Sequence, residues 1–441
     1  MTVKTEKHLS ENDYEVYADV LRDELVPALG CTEPIAIALA SARAASLLEG
    51  FPERIVIGCS NNILKNVMSV VVPNSGGMRG LKTAAILGAI AGYPEKKLEV
   101  LDRITDADRA LARTYIEKGI CSGYMIEDED ERLLIRVKST YQGHVAEATI
   151  AEHHTNFVYV ALDGKVVFHK ERSHSDIGLN LEKIKQEMTL EKIVEFADTV
   201  ELERVAEVLE RQIVCNCAIS REGLENPYGA QIGRTLLKEY GRDSFDVRAR
   251  AYAAAASEAR MSGCSLPVVI NSGSGNQGIT VSVPVVEYAR TIHASEEQML
   301  RAVIVSNLVS IHLKSFIGDL SAFCGAVTAA SGAGAAIAYL NGSSVLQITK
   351  TVETTLASSG GIICDGAKSS CAAKIATALE AAFTAQLMSK NNNGFQPGEG
   401  IICADPEQTF ENIGKIGRDG MAGTDAVIFD IMLGSKKERG R

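Results

Sequence analysis

The run from Leu320 to Thr349 carries no charged side chain, and it limits the fold of this 441-residue chain more than any other stretch. A run of that length must first be tested as a membrane span. It is mostly Ala, Gly and Ser with few Leu, Ile, Val or Phe, which makes a poor lipid-facing helix. Small side chains do let backbones approach closely. The run therefore reads as a tightly packed internal helix pair or helix–loop inside a water-soluble domain. Glycine-rich loops recur around it, NSGSGNQG at 271–278, SGAGA at 331–335 and SSGG at 358–361.

Helical periodicity accounts for both ends of the chain. Tyr14, Tyr17, Val20, Leu21 and Leu25 share a helical spacing with Ser10 as the cap, and Pro27 and Gly30 close that helix. A second helix starts near Pro34 and ends at Gly50. Between them and the later helices the texture changes. Arg54–Gly58 and Val67–Val72 read as β-branched strands, Gly80–Ala91 as a small-residue helix, and Leu133–Lys138 as a half-buried strand. Phe157–Leu162 and Lys165–Phe168 flank Asp163-Gly164, a hairpin turn signal. From about residue 180 helices dominate. Leu190, Ile193, Val194, Ala197 and Val200 share a face, and Ser295 with Gln298 forms a capping-box pattern ahead of a helix through Leu313. The tail SKKERGR from Ser435 reads as frayed.

The expected fold class is α+β, a mainly helical catalytic domain with glycine-rich loops and a smaller inserted α+β lobe. The divisions are 1–50, helices packing on the catalytic domain; 51–175, the α+β lobe; and 176–441, the helical domain. The formal charge of −11 and a pI near 5.4 exclude nucleic acid as the main partner, because phosphate binding needs clustered Lys and Arg. Residues Met1–Ser10 show no apolar signal run, so the expected location is the cytoplasm, with no membrane association. There the ten cysteines are not a disulfide framework.

Three constellations could carry chemistry. In Gly30-Cys31-Thr32-Glu33-Pro34, proline favours the first helical turn, which puts Cys31 just before a helix N-terminus. Free N–H groups and the helix dipole would favour a thiolate there. The alternative is a small buried residue at a helix start. The second is the trio Cys324, Cys364 and Cys371, each among small neighbours. Three thiolates on a cubane leave one iron without a protein ligand, and an open iron is a Lewis acid. The alternative is three unrelated core cysteines, and the spacing is not a ferredoxin run. The third, NSGSGNQG, matches a bare GxGxxG. The following ITVSVPVV does not read as the helix a dinucleotide site requires, so that site is discounted. Ser272, Ser274, Asn276 and Gln277 still offer hydroxyls and amides to a carboxylate or phosphate, with a tight turn as the other reading. PNSGGMRG at 73–80 is a candidate second wall of such a pocket.

Other residues read as structural. Cys215 and Cys217 are a CxC pair more suited to packing than to metal. His153, His154, His169 and His174 read as exposed on the α+β lobe, and His312 as packed or capping. Lys368 and Lys374 lack a pyridoxal phosphate context; Lys368 is a candidate carboxylate partner.

Taken together, GCTEP at 30–34, NSGSGNQG, FCGAV at 323–327 and CDGAKSSCAAK at 364–374 resemble the bacterial and archaeal L-cysteine desulfidases. These are related to the catalytic α chain of iron–sulfur L-serine dehydratases. The resemblance runs from about Tyr14 to Met432. It implies an oxygen-sensitive 4Fe-4S lyase, independent of pyridoxal phosphate, that converts L-cysteine to hydrogen sulfide, ammonia and pyruvate. It also implies Cys324, Cys364 and Cys371 as cluster ligands and Cys31 as the base. Ser272, Ser274, Asn276 and Gln277 are then the expected carboxylate contacts, and a small amino acid is the expected partner. A homodimer is compatible with this reading. The competing readings are L-serine dehydration on the same cluster, a metal-free metabolite-binding protein, and a zinc hydrolase using the same cysteines.

Overall fold

The computed structural model describes residues 9–126, 133–170, 183–318 and 321–437. His174, Asp319, Leu320 and residues 438–441 lie outside them. The fold is mixed α and β and mainly helical. Its strands are β1 (Pro27–Leu29), β2 (Arg54–Cys59), β3 (Cys121–Met125), β4 (Leu134–Tyr141), β5 (His144–Ala151), β6 (Phe157–Leu162), β7 (Lys165–His169) and β8 (Pro267–Val269).

Six of them form one sheet in the order β3-β2-β4-β5-β6-β7. Every pair is antiparallel except β2–β3. The β6–β7 hairpin turns on Asp163 (φ 50°) and Gly164 (φ 77°), the two left-handed positions that an Asp-Gly turn supplies. β1 pairs antiparallel with β8, which ties the N-terminal segment to residues 267–269.

The N-terminal segment touches both parts of the molecule. Ser10 caps helix Glu11–Glu24 in a reciprocal box with Asp13. Tyr14 and Tyr17 of that helix pack on Phe196, with ring centroids 5.9 and 5.3 Å away. The next helix, Thr32–Ala45, packs on helix Gly80–Ala91 and on β4 and β5. It stops at Ala45, short of the expected Gly50.

The uncharged run becomes the buried helix Gly325–Leu340 and the start of helix Val345–Ser359. Gly325–Leu340 packs on Gly275–Thr291, Glu296–Ile317, Val345–Ser359 and Cys371–Lys390. The approach is close enough that a Cβ on Gly332 would lie 2.3 Å from the Ser306 carbonyl oxygen. Helix Glu296–Ile317 is long and apolar enough to cross a bilayer, but it is largely buried by its neighbours here.

Three local expectations are corrected. Val67–Val72 is not a strand: helix Asn61–Val67 precedes a loop in which Val71 makes one bridge to Arg79. Ser60 is the N-cap of that helix, which takes up Val67, and Val70–Val72 fold back on the adjacent loop, the Val72 N–H donating to the Met78 carbonyl at 2.9 Å. ITVSVPVV does continue a helix, Gly275–Thr291, with Pro284 inside it. Nearly every residue of that stretch is buried, and tertiary burial overrides weak local propensity. At the C-terminus, helix Ala422–Lys437 takes in Ser435–Lys437 of the segment read as frayed, and the rest of that segment lies outside the described residues.

Candidate active site

Three of the cysteine-bearing motifs converge through helix starts. Cys31 is the residue before helix Thr32–Ala45, Cys324 precedes helix Gly325–Leu340, and Cys371 opens helix Cys371–Lys390. Ser274 precedes a fourth, Gly275–Thr291. None of these four helices has a side-chain cap, whereas Ser10, Thr189, Ser295 and Ser344 cap theirs. Uncapped N–H groups at a helix start carry partial positive charge and attract anions.

One cavity collects these starts. Its lining includes Cys31, Glu33, Asn66, Arg260, Ser274, Asn276, Gln277, Cys324, Cys364 and Cys371. Cys324 and Cys364 lie on adjacent backbone segments. The Cys324 N–H donates to the Ile362 carbonyl at 3.1 Å, and the Cys364 N–H to the Ala322 carbonyl at 2.6 Å. Gly366 (φ 94°) lets the chain turn from Cys364 towards Cys371, and a Cβ there would lie 2.8 Å from the Lys65 carbonyl oxygen. Asp365 is held between Lys368, at 3.2 Å, and Lys374.

Burial is the largest influence on the Cys324 thiol, followed by the Cys364 and then the Cys371 charge; its pKa is pushed up to about 12. Burial and Cys364 also push Cys371 up, while Lys374 opposes the rise at both. Cys364 thus bears on both Cys324 and Cys371, and all three line one cavity. Among the described residues no three His, Cys, Asp or Glu side chains are grouped to hold a single metal ion. The donor set is three soft thiols walled by Gly325, Ala326, Gly366 and Ala367, with uncapped N–H groups and Lys374 nearby. That chemistry fits an iron–sulfur cubane with three protein ligands better than one zinc ion.

Cys31 differs from the expectation. It is 2% exposed, and its Sγ donates to Glu33 Oε2 at 2.9 Å. Burial and then the Glu33 charge push its thiol well above the ordinary range, outweighing Arg260. The helix start does not yield a resting thiolate. Glu33 is the charged partner. Burial works against its carboxylate, but His154, the Cys31 thiol, a backbone N–H and Arg260 together hold its pKa below the usual value. Asn66 Nδ2 donates to Glu33 Oε1 at 2.8 Å, which fixes the carboxylate.

The glycine loop divides. Ser274, Asn276 and Gln277 line the cavity; Ser272 does not. The Ser272 hydroxyl donates to Asn271 Oδ1 at 3.0 Å, inside a buried amide network with Asn307, Gln212 and Ser310. Gln277 is partly committed as well, since its Oε1 accepts from Thr328 at 3.3 Å. Thr32 Oγ1 donates to the Gly273 carbonyl at 3.1 Å and joins this loop to Cys31.

Other expectations resolve structurally. PNSGGMRG does not line the cavity. Pro73 packs on Gly30, where a Cβ would lie 2.2 Å from Pro73 Cγ. His154 is half-buried rather than exposed: the β5–β6 turn carries its ring to within 3.6 Å of a Cβ built on Gly273. His153 and His169 are exposed. His312 is buried between the Lys185 carbonyl and Glu407 Oε2, at 2.8 and 2.6 Å. Cys215 and Cys217 lie on helix Ala206–Glu225. Sequence reasoning missed Arg260, an arginine in an otherwise ordinary helix, and assigned no role to Glu33, although it stands within GCTEP.

A family profile described as the serine dehydratase alpha chain matches residues 95–430. The chain is 44% identical over 422 residues to a UPF0597 protein of Desulfitobacterium hafniense, covering 95% of this chain and 97% of that one. It is 45% identical over 421 residues to a UPF0597 protein of Lachnoclostridium phytofermentans, covering 95% and 100%. A UPF0597 protein of Treponema denticola is 44% identical over 430 residues, covering 96% and 99%. The chain belongs to the serine dehydratase alpha chain family.

Proposed function

We propose that the protein is an iron–sulfur L-cysteine desulfidase, a lyase that converts L-cysteine and water to hydrogen sulfide, ammonia and pyruvate. The observation that carries this reading is one cavity lined by the Cys324, Cys364 and Cys371 thiols and by a hydrogen-bonded Cys31–Glu33 pair. Cys324, Cys364 and Cys371 would hold the 4Fe-4S cluster. When bound, it supplies an iron with no protein ligand, which stabilises a departing thiolate.

This chain's own residues account for the proton chemistry. Cys31 enters as a thiol. Its proton moves along the 2.9 Å contact to Glu33, and the resulting thiolate takes the α-proton of the substrate. Asn66 keeps Glu33 oriented for that transfer. The electron pair of the Cα–H bond forms the Cα=Cβ bond as the Cβ–S bond breaks. The released sulfur leaves as hydrogen sulfide after protonation. Aminoacrylate then tautomerises to the imine and is hydrolysed to pyruvate and ammonia. An α-proton is far less acidic than a thiol, so assistance to the leaving group must lower much of the barrier. The substrate carboxylate is held on the side of the uncapped helix start at Ser274, near Asn276. All ten cysteines are free, in keeping with a reducing cytoplasm.

The family description favours a second reading, L-serine dehydration at the same site with hydroxide leaving. Anaerobic assays of both amino acids side by side separate the two. Sulfide from cysteine faster than pyruvate from serine supports the desulfidase; the reverse order makes the protein a serine dehydratase.

A further inference from the structure

Arg260 stands one residue before the end of helix Phe245–Met261 and is 3% exposed, yet its guanidinium makes no hydrogen bond or ion pair among the described residues. Its Nε is fully buried without a partner, and the side chain lines the cavity. The titratable groups that bear on it are Cys31, Glu33 and Cys371, and of these Glu33 carries its charge at rest. Arginine stays protonated in proteins, so this is a desolvated cation that Glu33 offsets without touching and whose hydrogen bonds no protein group takes up. Unpaired buried charge is costly, and a fold retains it where a ligand completes the pair. The surroundings are shaped for it. A Cβ on Gly275 would lie 2.3 Å from Arg260 Nε, so only glycine lets the guanidinium rest against the start of helix Gly275–Thr291. That helix start has no side-chain cap.

We propose that Arg260 is the substrate's carboxylate anchor, pairing with the α-carboxylate of the amino acid against the uncapped start of helix Gly275–Thr291. This rests on the lyase reading above and names a group which that reading left open. A planar guanidinium matches a carboxylate in a two-point contact, which an ammonium cannot. The position also orients the substrate. Arg260 lines the same cavity as Cys31 and Cys371, and its charge bears on both. A carboxylate pinned there turns the Cα–H towards the base and the Cβ–S bond towards the three thiols. Neutralising the carboxylate also reduces the repulsion of negative charge that develops on Cα as the proton leaves. Arg260 thereby selects for acids: a thiol amine lacking the carboxylate leaves the cation unpaired.

The test uses anaerobically purified holoenzyme with R260Q and R260K. Iron content and cluster absorbance should match wild type in both variants. KM for L-cysteine should rise about 100-fold in R260Q and less in R260K. 3-Mercaptopropionate, a thiol carboxylate without an amine, should bind wild type and weaken at least about tenfold in R260Q. Cysteamine, which lacks the carboxylate, should bind both equally weakly. Unchanged KM and unchanged 3-mercaptopropionate binding overturn the assignment, and so does loss of iron from both variants, which would make Arg260 a partner of the cluster. If the variants do not fold, wild type alone decides: no preference for 3-mercaptopropionate over cysteamine overturns it. Calorimetric binding of 3-mercaptopropionate needs no turnover. A chain that binds it through Arg260 but releases no sulfide contradicts the desulfidase reading and leaves the anchor standing.

Discussion

Cys31 and Glu33 stand two residues apart, and each sets the other's protonation. The thiol keeps its proton because burial and the neighbouring carboxylate both disfavour a second anion. Glu33 keeps its charge because His154, Cys31, a backbone N–H and Arg260 offset its own burial. Glu33→Gln removes the acceptor of the Cys31 proton. It should lower kcat by about 10²–10⁴-fold while the cluster absorbance stays intact. Cys31→Ser should nearly abolish turnover with iron retained; full activity in that variant would remove Cys31 from the role of base. Cys364→Ala should lose iron and activity together, and unchanged iron would take Cys364 off the ligand set. At this scale the sequence was informative where chemistry announces itself. Cysteines beside Gly, Ala and Pro are conspicuous, and Cys31 does sit at a helix start. The resting thiol was not legible, because burial is a property of the surroundings. Arg260 was hidden for the same reason: an arginine in a helix reads as solvated until its neighbours are known.

Helix starts and helix-to-helix contacts depend on small residues. Four uncapped starts meet at the cavity, which gathers several anion-attracting ends where charge must be managed, although helices Gly80–Ala91, Ala206–Glu225 and Phe245–Met261 also start without a side-chain cap. Glycines set the spacing between elements. Gly332 faces the Ser306 carbonyl, Gly278 the Val269 carbonyl and Gly223 the Ala255 carbonyl, each too closely for a Cβ. Gly332→Ala should therefore destabilise the fold by about 1–3 kcal/mol in urea unfolding. Gly423→Ala is the control: its Cβ meets nothing within 4 Å, and alanine is the better helix former. Equal effects of the two changes would contradict the close-packing account. The uncharged run announced this packing in the sequence, since a lipid-facing helix would need larger apolar side chains. Capping boxes at Ser295 and the Asp163-Gly164 turn were equally plain, because those signals are local. Helix Gly275–Thr291 was not, because ITVSVPVV with Pro284 carries strand-like chemistry that only its burial overrides.

Across the whole molecule, residues distant in sequence are brought to one place by a few long-range ties. β1 pairs with β8, and Thr32 joins the Gly273 loop to the Cys31 helix. Lys65, which lines the cavity, pairs with Asp425 of helix Ala422–Lys437 at 2.5 Å. The sheet contributes through the β5–β6 turn, which sets His154 against Gly273, where it favours the Glu33 carboxylate. Motif order alone did not foretell that reach, since His154 stands in a turn that looks polar and exposed. The central claim is that Cys324, Cys364 and Cys371 jointly hold an inorganic cluster that makes this cavity a lyase site. Iron and acid-labile sulfide counted per chain in anaerobically purified protein, before and after air exposure, test it most directly. Close to four of each are expected in the anaerobic sample, with sulfide release from L-cysteine that disappears as the iron is lost. Full activity from protein containing neither iron nor acid-labile sulfide would contradict it.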